Sequence, residues 1–141
     1  MLLEQLIVRP IESLPPSANC VQAARLMRDE NIGAVVVAQD RRPVGMVTDR
    51  DLVQRVLAAG EDPQRTTLAD VMTGQPVFLA SSRTLAEAIQ TMRELSIRRI
   101  PVVDETGALC GMVSMDDAII QIAERLGGVA ETIRKEIGLP K

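Results

Sequence analysis

Apolar residues recur at helical spacing in two parts of the chain, and each part continues into two short runs rich in β-forming residues. In the later part, the positions on one helical face are Leu85, Ala88, Ile89, Met92 and Leu95. Thr84 followed by Glu87 forms a capping box, which predicts that a helix begins there. The runs IPVV and LCGMVS follow around a turn-forming segment, and a second helix is predicted from Asp116.

The earlier part of the chain predicts the same order: helix, strand, strand, helix. Asn19 is suited to cap a helix that runs through Met27, and VVVA and VGMVT are predicted strands on either side of DRRP. A helix from Asp49 is expected to end near Gly60, because glycine favours the left-handed conformation of a helix end. The breaker-rich segment GEDPQRTT then predicts a short linker.

One phrase occurs twice: GMVTDRDL at 45–52 returns as GMVSMDDA at 111–118. Upstream, residues 68–77 align with residues 3–12, and one inserted residue in the turn DETGAL accounts for the change of spacing between the copies. Repetition at this period indicates a duplicated unit whose copies bury their apolar faces on each other.

The repeat predicts how the chain is divided. We expect one unit at 3–61, a second at 68–125 and a helical extension at 126–141. A stripe of apolar residues at helix-like intervals leads into the extension: Ile119, Ile122, Leu126, Val129, Ile133 and Ile137. This stripe either covers the module or joins two subunits. Together with the Val, Ile and Leu runs of both copies, it predicts a homodimer.

Composition narrows the possible functions. The 141 residues carry a net charge of −3 and a single aromatic residue, Phe78, which argues against a nucleic-acid partner. The absence of His removes the commonest general base and metal ligand, and neither Cys20 nor Cys110 lies in a C-x-x-C pair. No apolar stretch is long enough to cross a bilayer. We expect a cytoplasmic protein with no metal site and no membrane partner.

Two copies of this order, with IRRIPVVD leading to G-h-V-[ST]-x-x-D where h is apolar, resemble the CBS-domain family. The whole resembles one CBS pair, or Bateman module, and is similar to small stand-alone bacterial CBS-domain proteins. The resemblance implies an α/β fold in which tandem CBS repeats, each helix-strand-strand-helix, pack with pseudo-twofold symmetry. It also implies two clefts that bind adenosine-containing ligands such as AMP or ATP, and often a homodimer.

The repeated phrase supplies the main candidate site residues, Thr48 with Asp51 and Ser114 with Asp117. One interpretation is that each pair only begins a helix, because [ST]-x-x-[DE] satisfies the first free amides. Another is ligand recognition, since a helix N-terminus is a seat for an anion and an ionised carboxylate can accept hydrogen bonds from both hydroxyls of a ribose. The family resemblance favours ribose recognition in addition to capping.

Four further candidates lie at a predicted strand: Arg98, Arg99, Ile100 and Pro101. The planar guanidinium groups are suited to clamp phosphates, and simple surface solvation is the alternative for at least one of them. The first interpretation of an apolar run such as the one at Ile100 and Pro101 is that it forms part of the hydrophobic core. Their contact with an adenine is implied by the family resemblance alone.

The two copies differ in charge, which predicts unequal clefts. Arg98 and Arg99 align with Gly33 and Ala34 in the first copy. Charge-assisted contacts to phosphate are strong, so we expect the cleft that uses Ser114 and its aspartate to bind more tightly.

These observations favour a non-enzymatic regulatory module that binds an adenine nucleotide of the AMP, ADP or ATP class. The signal would pass to a protein partner through conformation or dimer geometry, and no cofactor is required. One alternative is a structural or interaction homodimer with vestigial clefts. The other is a small nucleotide hydrolase using Asp51 or Asp117, which the lack of His and of a phosphate loop disfavours.

Overall fold

The computed structural model describes residues 1–6, 11–74 and 77–138, which form two sheets flanked by helices. The strands are β1 (Ser13–Leu14), β2 (Ala34–Gln39), β3 (Arg42–Thr48), β4 (Thr73–Gly74), β5 (Leu79–Ala80), β6 (Arg99–Val103) and β7 (Leu109–Ser114). The α-helices are α1 (Cys20–Glu30), α2 (Asp49–Leu52), α3 (Leu68–Val71), α4 (Leu85–Leu95) and α5 (Met115–Glu136). A short 3-10 helix lies at Leu3–Gln5, and α2 continues as a π-helical stretch at Val53–Leu57.

Three strands are arranged in the same way in each half of the chain, which confirms the predicted duplication and the α/β class; the first sheet has a fourth strand, β4, which pairs antiparallel with β3. In the first half β1 lies parallel to β2, and β2 forms an antiparallel hairpin with β3; β5, β6 and β7 repeat this arrangement. The register shifts at equivalent points, between Val37 and Ala38 and between Val102 and Val103. The copies therefore share a backbone irregularity as well as a sequence phrase.

Local signals explain where the helices begin and end. Asn19 Oδ1 accepts a hydrogen bond from Gln22 N at 2.9 Å, and Thr84 Oγ1 accepts one from Glu87 N at 3.2 Å, so both predicted caps are confirmed. Gly60 adopts a φ of 73°, as predicted for the end of the second helix of the first copy.

The segment that opens each sequence repeat packs on the opposite half of the molecule. Leu3 is fully buried in the core of the second half, and Leu68 is fully buried in the core of the first. Backbone hydrogen bonds fix this exchange, because Leu3 N donates to Arg83 O at 2.9 Å and Leu68 N donates to Ala18 O at 2.8 Å. The exchange is reciprocal, as a twofold relation between the repeats requires.

The hairpin turn of the first half contacts the second half of the molecule. Asp40 and Arg41, with φ of 52° and 65°, form the two-residue turn between β2 and β3. Positive φ at both positions is typical of a type I′ turn, whose twist matches that of the strands. The Arg41 carbonyl accepts a hydrogen bond from Leu109 N at 2.7 Å, so the first turn is tied to β7.

The second turn holds the inserted residue and is organised by Asp104. One carboxylate oxygen, Oδ1, accepts hydrogen bonds from Thr106 N at 2.8 Å, from Thr106 Oγ1 at 2.6 Å and from Ala108 N at 3.1 Å. These hydrogen bonds, first the one from the Thr106 hydroxyl, hold the pKa of Asp104 below its usual value.

Among the described helices α5 is the longest, with 22 residues. Its first turn covers the second core, where Ala118 is fully buried, but every residue from 122 to 138 is exposed. The helix continues without a break past residue 125, the predicted end of the second repeat. None of the described helices has the length and apolar character needed to cross a membrane.

Candidate functional site

The first copy of the repeated phrase lies where β3 ends and α2 begins. Thr48 Oγ1 accepts a hydrogen bond from Asp51 N at 3.1 Å, and Asp51 Oδ2 accepts one from Thr48 N at 2.9 Å. This reciprocal capping box confirms the interpretation of the pair as a helix start. It also occupies one oxygen of the carboxylate.

The other carboxylate oxygen of Asp51 faces a basic side chain. Asp51 Oδ1 lies 3.8 Å from Arg55 Nη2, and Arg55 Nη1 donates a hydrogen bond to the Val71 carbonyl at 2.6 Å. The Asp51 side chain is only 16% exposed. Both of its oxygens therefore have protein partners, and the aspartate links α2 to the end of α3.

The second copy lies where β7 ends and α5 begins, and its aspartate is used differently. Ser114 Oγ accepts a hydrogen bond from Asp117 N at 3.1 Å, so the serine caps the helix as predicted. No donor in the described part of the chain approaches the Asp117 carboxylate within hydrogen-bonding distance, and the residue is exposed. An ionised carboxylate with open acceptor positions therefore stands at the positive end of a long helix.

The two predicted arginines lie at different junctions. Arg98 Nη2 donates to Asp116 Oδ1 at 2.9 Å beside the start of α5, and both side chains are largely exposed. Arg99 instead reaches across to the first half. Its Nη2 lies 3.4 Å from the position that a Cβ would take at Gly33, and Asp49 Oδ2 lies 3.3 Å from the same point. One guanidinium is thus placed near each strand-to-helix junction.

Ile100 and Pro101 are both fully buried. Ile100 packs in the second core with Leu3 and Met92, and Pro101 pairs with Met112 across the β6–β7 hairpin. The side chain of Ile100 therefore belongs to the hydrophobic core, as expected for a short apolar run. The contact of these two residues with an adenine stays a prediction.

Other groupings are less suited to an anionic ligand. One cavity of about 690 Å³ has three carboxylates and two arginines in its wall. Its lining residues are Arg55, Glu61, Asp62, Arg65, Thr66, Asp70 and Val71. The carboxylates would repel a phosphate there. Within the described ranges, no group of three His, Cys, Asp or Glu side chains is arranged to hold a metal ion.

Two features of the site were missed at the sequence level. The pairing of Asp51 with Arg55 could have been found, because the residues are spaced i,i+4 and face each other on a helix. The reach of Arg99 to Gly33 could not, because it depends on how the two halves pack. Residues 7–10 and 75–76, which precede β1 and β5, lie outside the described residues.

The two repeats also match known proteins. The family model described as CBS domain matches residues 3–58 and 68–124. The chain is 35% identical over 123 residues to CBS domain-containing protein YhcV of Bacillus subtilis, with 86% of each protein covered. It is 34% identical over 122 residues to the uncharacterised protein MK0525 of Methanopyrus kandleri, covering 86% of this chain and 62% of that protein.

Among solved structures, a CBS domain protein of Pyrobaculum aerophilum complexed with AMP matches with a TM-score of 0.77 and 25% identity. The match covers 88% of this chain and 99% of the other.

Proposed function

The chain belongs to the CBS-domain family, and from that premise we propose that it is a non-enzymatic regulatory module that binds an adenosine nucleotide of the AMP, ADP or ATP class between its repeats. Binding is passed to a protein partner through conformation or through the geometry of a homodimer. The observation that carries this proposal is the Asp117 carboxylate, which is exposed, unpaired among the described residues and set at the start of α5.

The chemistry of a nucleotide fits this junction. A ribose presents two hydroxyl donors, and a carboxylate offers only acceptors, so Asp117 can receive both. Arg98 stands nearby; its guanidinium has five N–H donors, so it can keep Asp116 and still donate to a phosphate. The AMP complex of the Pyrobaculum protein supports a ligand of this class. The proposed contact residues are Thr48, Asp51, Ser114, Asp117, Arg98, Arg99, Ile100 and Pro101.

A structural homodimer with vestigial clefts is the second candidate. One observation favours it: the Asp51 carboxylate is already engaged by Thr48 and Arg55, so the first junction serves the fold. The arginines do not distinguish the clefts, because one lies near each junction. The proposal retains unequal clefts, with the one at Asp117 the tighter, because the Asp51 carboxylate already has protein partners. A cytoplasmic location stays a prediction.

Calorimetric titration of the full chain with AMP, ADP, ATP, NAD and S-adenosylmethionine tests the proposal. We expect at least one adenine nucleotide to bind, and Asp117→Asn to weaken it about tenfold or more, because charge-assisted hydrogen bonds are worth roughly 1.5–3 kcal/mol each. Asp51→Asn is the matched control and should change the tighter event little. Flat titrations for all five ligands would overturn nucleotide sensing and leave the structural dimer.

A further inference from the structure

An apolar groove lies between α1 and the helical segment that begins with α2. Its volume is about 350 Å³, within the range of about 300–1,000 Å³ that is typical of small-molecule pockets. Cys20 and Val56, each 2% exposed, are the most buried residues that line it. The other apolar lining residues are Val21, Ala24, Leu52, Leu57 and Pro63. The groove shares no residue with either strand-to-helix junction, so the proposed nucleotide site does not account for it.

Two arginines give the groove a basic end. Arg25 and Arg28 line it towards the end of α1, whereas Cys20 lies at the start of this helix. At 1.5 Å per residue, α1 rises about 12 Å between Cys20 and Arg28. Arg28 Nε donates to Asp29 Oδ1 at 2.8 Å, but in the described part of the chain the exposed Arg25 side chain has no acidic partner. The groove therefore runs from a buried apolar end to an exposed basic end.

The wall that faces α1 contains an unusual helical form. Val56 and Leu57 belong to the π-helical stretch Val53–Leu57, and Leu52 directly precedes it. Helical turns of the π type are rare and are frequently found at functional sites. The corresponding segment of the second repeat is α-helical and lies within α5. This wall is therefore a property of the first repeat and not of the duplicated unit.

The second repeat also differs in chemistry at the matching positions of its first helix. Ile89 takes the place of Ala24 and packs against the second core, and Gln90 takes the place of Arg25. Gln90 Nε2 donates to Glu94 Oε1 at 2.8 Å and brings no positive charge. The combination of a small residue with an unpaired cation is therefore specific to the groove of the first repeat.

We infer that this groove binds a small amphiphilic carboxylate, which is a single apolar chain that ends in one carboxylate. The chain lies against the apolar walls, and the carboxylate accepts hydrogen bonds from Arg25 and Arg28, whose planar guanidinium groups match its geometry. An apolar cavity of about 150 Å³ holds one benzene, so the groove has room for a chain of roughly a dozen carbons. The protein would then respond to a second class of ligand besides the nucleotide.

Both parts of the ligand are needed to explain the lining. A neutral apolar molecule would leave the charge of Arg25 without a partner, and a compact anion such as phosphate would gain nothing from the buried apolar end. Burial of the chain supplies affinity, and the two arginines fix its direction, with the carboxylate at the exposed end.

Calorimetric titration of the full chain with decanoate, below its micelle-forming concentration, tests the site. We expect saturable binding that Ala24→Phe weakens about tenfold or more, because the ring fills the groove from an exposed position. Arg25→Gln, which installs the residue of the second repeat, should also weaken it about tenfold, since a charge-assisted contact is lost. Decanol, which has the chain without the charge, should bind more weakly than decanoate.

Two variants of the second repeat are the matched controls. Ala86→Phe and Arg93→Gln make the same substitutions at exposed positions of α4, and both should bind decanoate like the wild type. Flat titrations with decanoate, or equal losses in the control variants, would overturn the proposal. Equal affinities for decanoate and decanol would overturn the role given to the arginines.

Thiol alkylation followed by mass spectrometry tests whether the ligand lies in the groove. Cys20 lines the groove, and Cys110 lies in the second half of the same chain, so it reports any general stabilisation. Decanoate should slow the labelling of Cys20 and leave that of Cys110 unchanged. Equal slowing of both thiols, or no change at Cys20, would count against binding in the groove.

Other occupants of the groove give different results. If a second copy of the chain covered the groove, Ala24→Phe would change the oligomeric state in light scattering and wild-type protein would not bind decanoate. If the groove belonged to the nucleotide site, AMP would displace decanoate. We expect neither result, and either would overturn the proposal. A protein that binds decanoate but no nucleotide would refute nucleotide sensing and leave the groove assigned as inferred.

Discussion

Replacing Asp51 and Asp117 separately by alanine tests whether the two copies of the repeated phrase use their aspartates differently. Asp51 Oδ2 accepts the Thr48 N–H at 2.9 Å, and its Oδ1 lies 3.8 Å from Arg55 Nη2. Among the described contacts of Asp117, the hydrogen bond is made by its backbone N–H to Ser114, and the carboxylate is not used. We therefore expect Asp51→Ala to destabilise the fold clearly and Asp117→Ala to have a small effect.

The contacts give the size of each loss. Both substitutions remove a favourable charge at a helix start, worth roughly 0.3–1 kcal/mol. Asp51→Ala also removes a hydrogen bond to a charged acceptor, about 1.5 kcal/mol, and an ion pair with the half-exposed Arg55, about 0.2–1 kcal/mol. We expect the free energy of unfolding to fall by about 2–3.5 kcal/mol for Asp51→Ala and by less than about 1 kcal/mol for Asp117→Ala.

Urea unfolding followed by far-UV circular dichroism measures both losses, since the chain has no Trp or Tyr for fluorescence. Protein concentration is held constant because association changes the apparent stability. Asp51→Asn is the matched control: its carbonyl can still accept the Thr48 N–H but the charge is gone, so its loss should be intermediate. Equal losses for the two alanine variants, or a larger loss for Asp117→Ala, would refute the structural role given to Asp51.

Three further substitutions have definite expectations. Ser96→Gly should raise the free energy of unfolding by about 1 kcal/mol, and with it the melting temperature. Ser96 ends α4 with a φ of 54°, a conformation in which glycine avoids the steric penalty of a Cβ. Gly45→Ala should lower stability by about 1–3 kcal/mol, because the new Cβ would lie 2.9 Å from Met72 Cγ and 3.0 Å from a backbone carbonyl; an unchanged melting temperature contradicts this. Asp104 has a lowered pKa, so its stabilising contribution is complete above the ordinary pKa and is lost as the pH falls through the lowered one. Asp104→Asn should therefore flatten the acid side of a stability-versus-pH profile, and an unchanged profile would count against this.

Local signals made most of the elements predictable. Asn19 and Thr84 mark helix starts because their side chains satisfy amides only three residues away, and such contacts are visible in the sequence itself. The hairpins follow from short β-rich runs around turn residues, and the repeat shows that both halves must have the same order. These predictions concern contacts between near neighbours, which is why they are confirmed.

Contacts between the halves were not predictable in the same way. Nothing in the sequence around Leu3 or Leu68 indicates that each segment is buried in the opposite core, because their short helices are too brief for an apolar pattern. The reach of Arg99 to Gly33 has the same origin, since the two are brought together only when the sheets pack. The approach of Arg99 to Gly33 can be predicted only when the arrangement of the two sheets is already known.

The difference between the two junctions goes back to a single helical turn. Arg55 follows Asp51 by one turn, and the residue at the matching place in the second copy is Gln121, which carries no charge. A guanidinium held by the Val71 carbonyl keeps the first aspartate within the fold, whereas no described residue restrains the carboxylate of Asp117. The two copies of the phrase can therefore have different roles: the Asp51 carboxylate anchors α2 to α3, and the Asp117 carboxylate stays available for the proposed ligand at the start of α5.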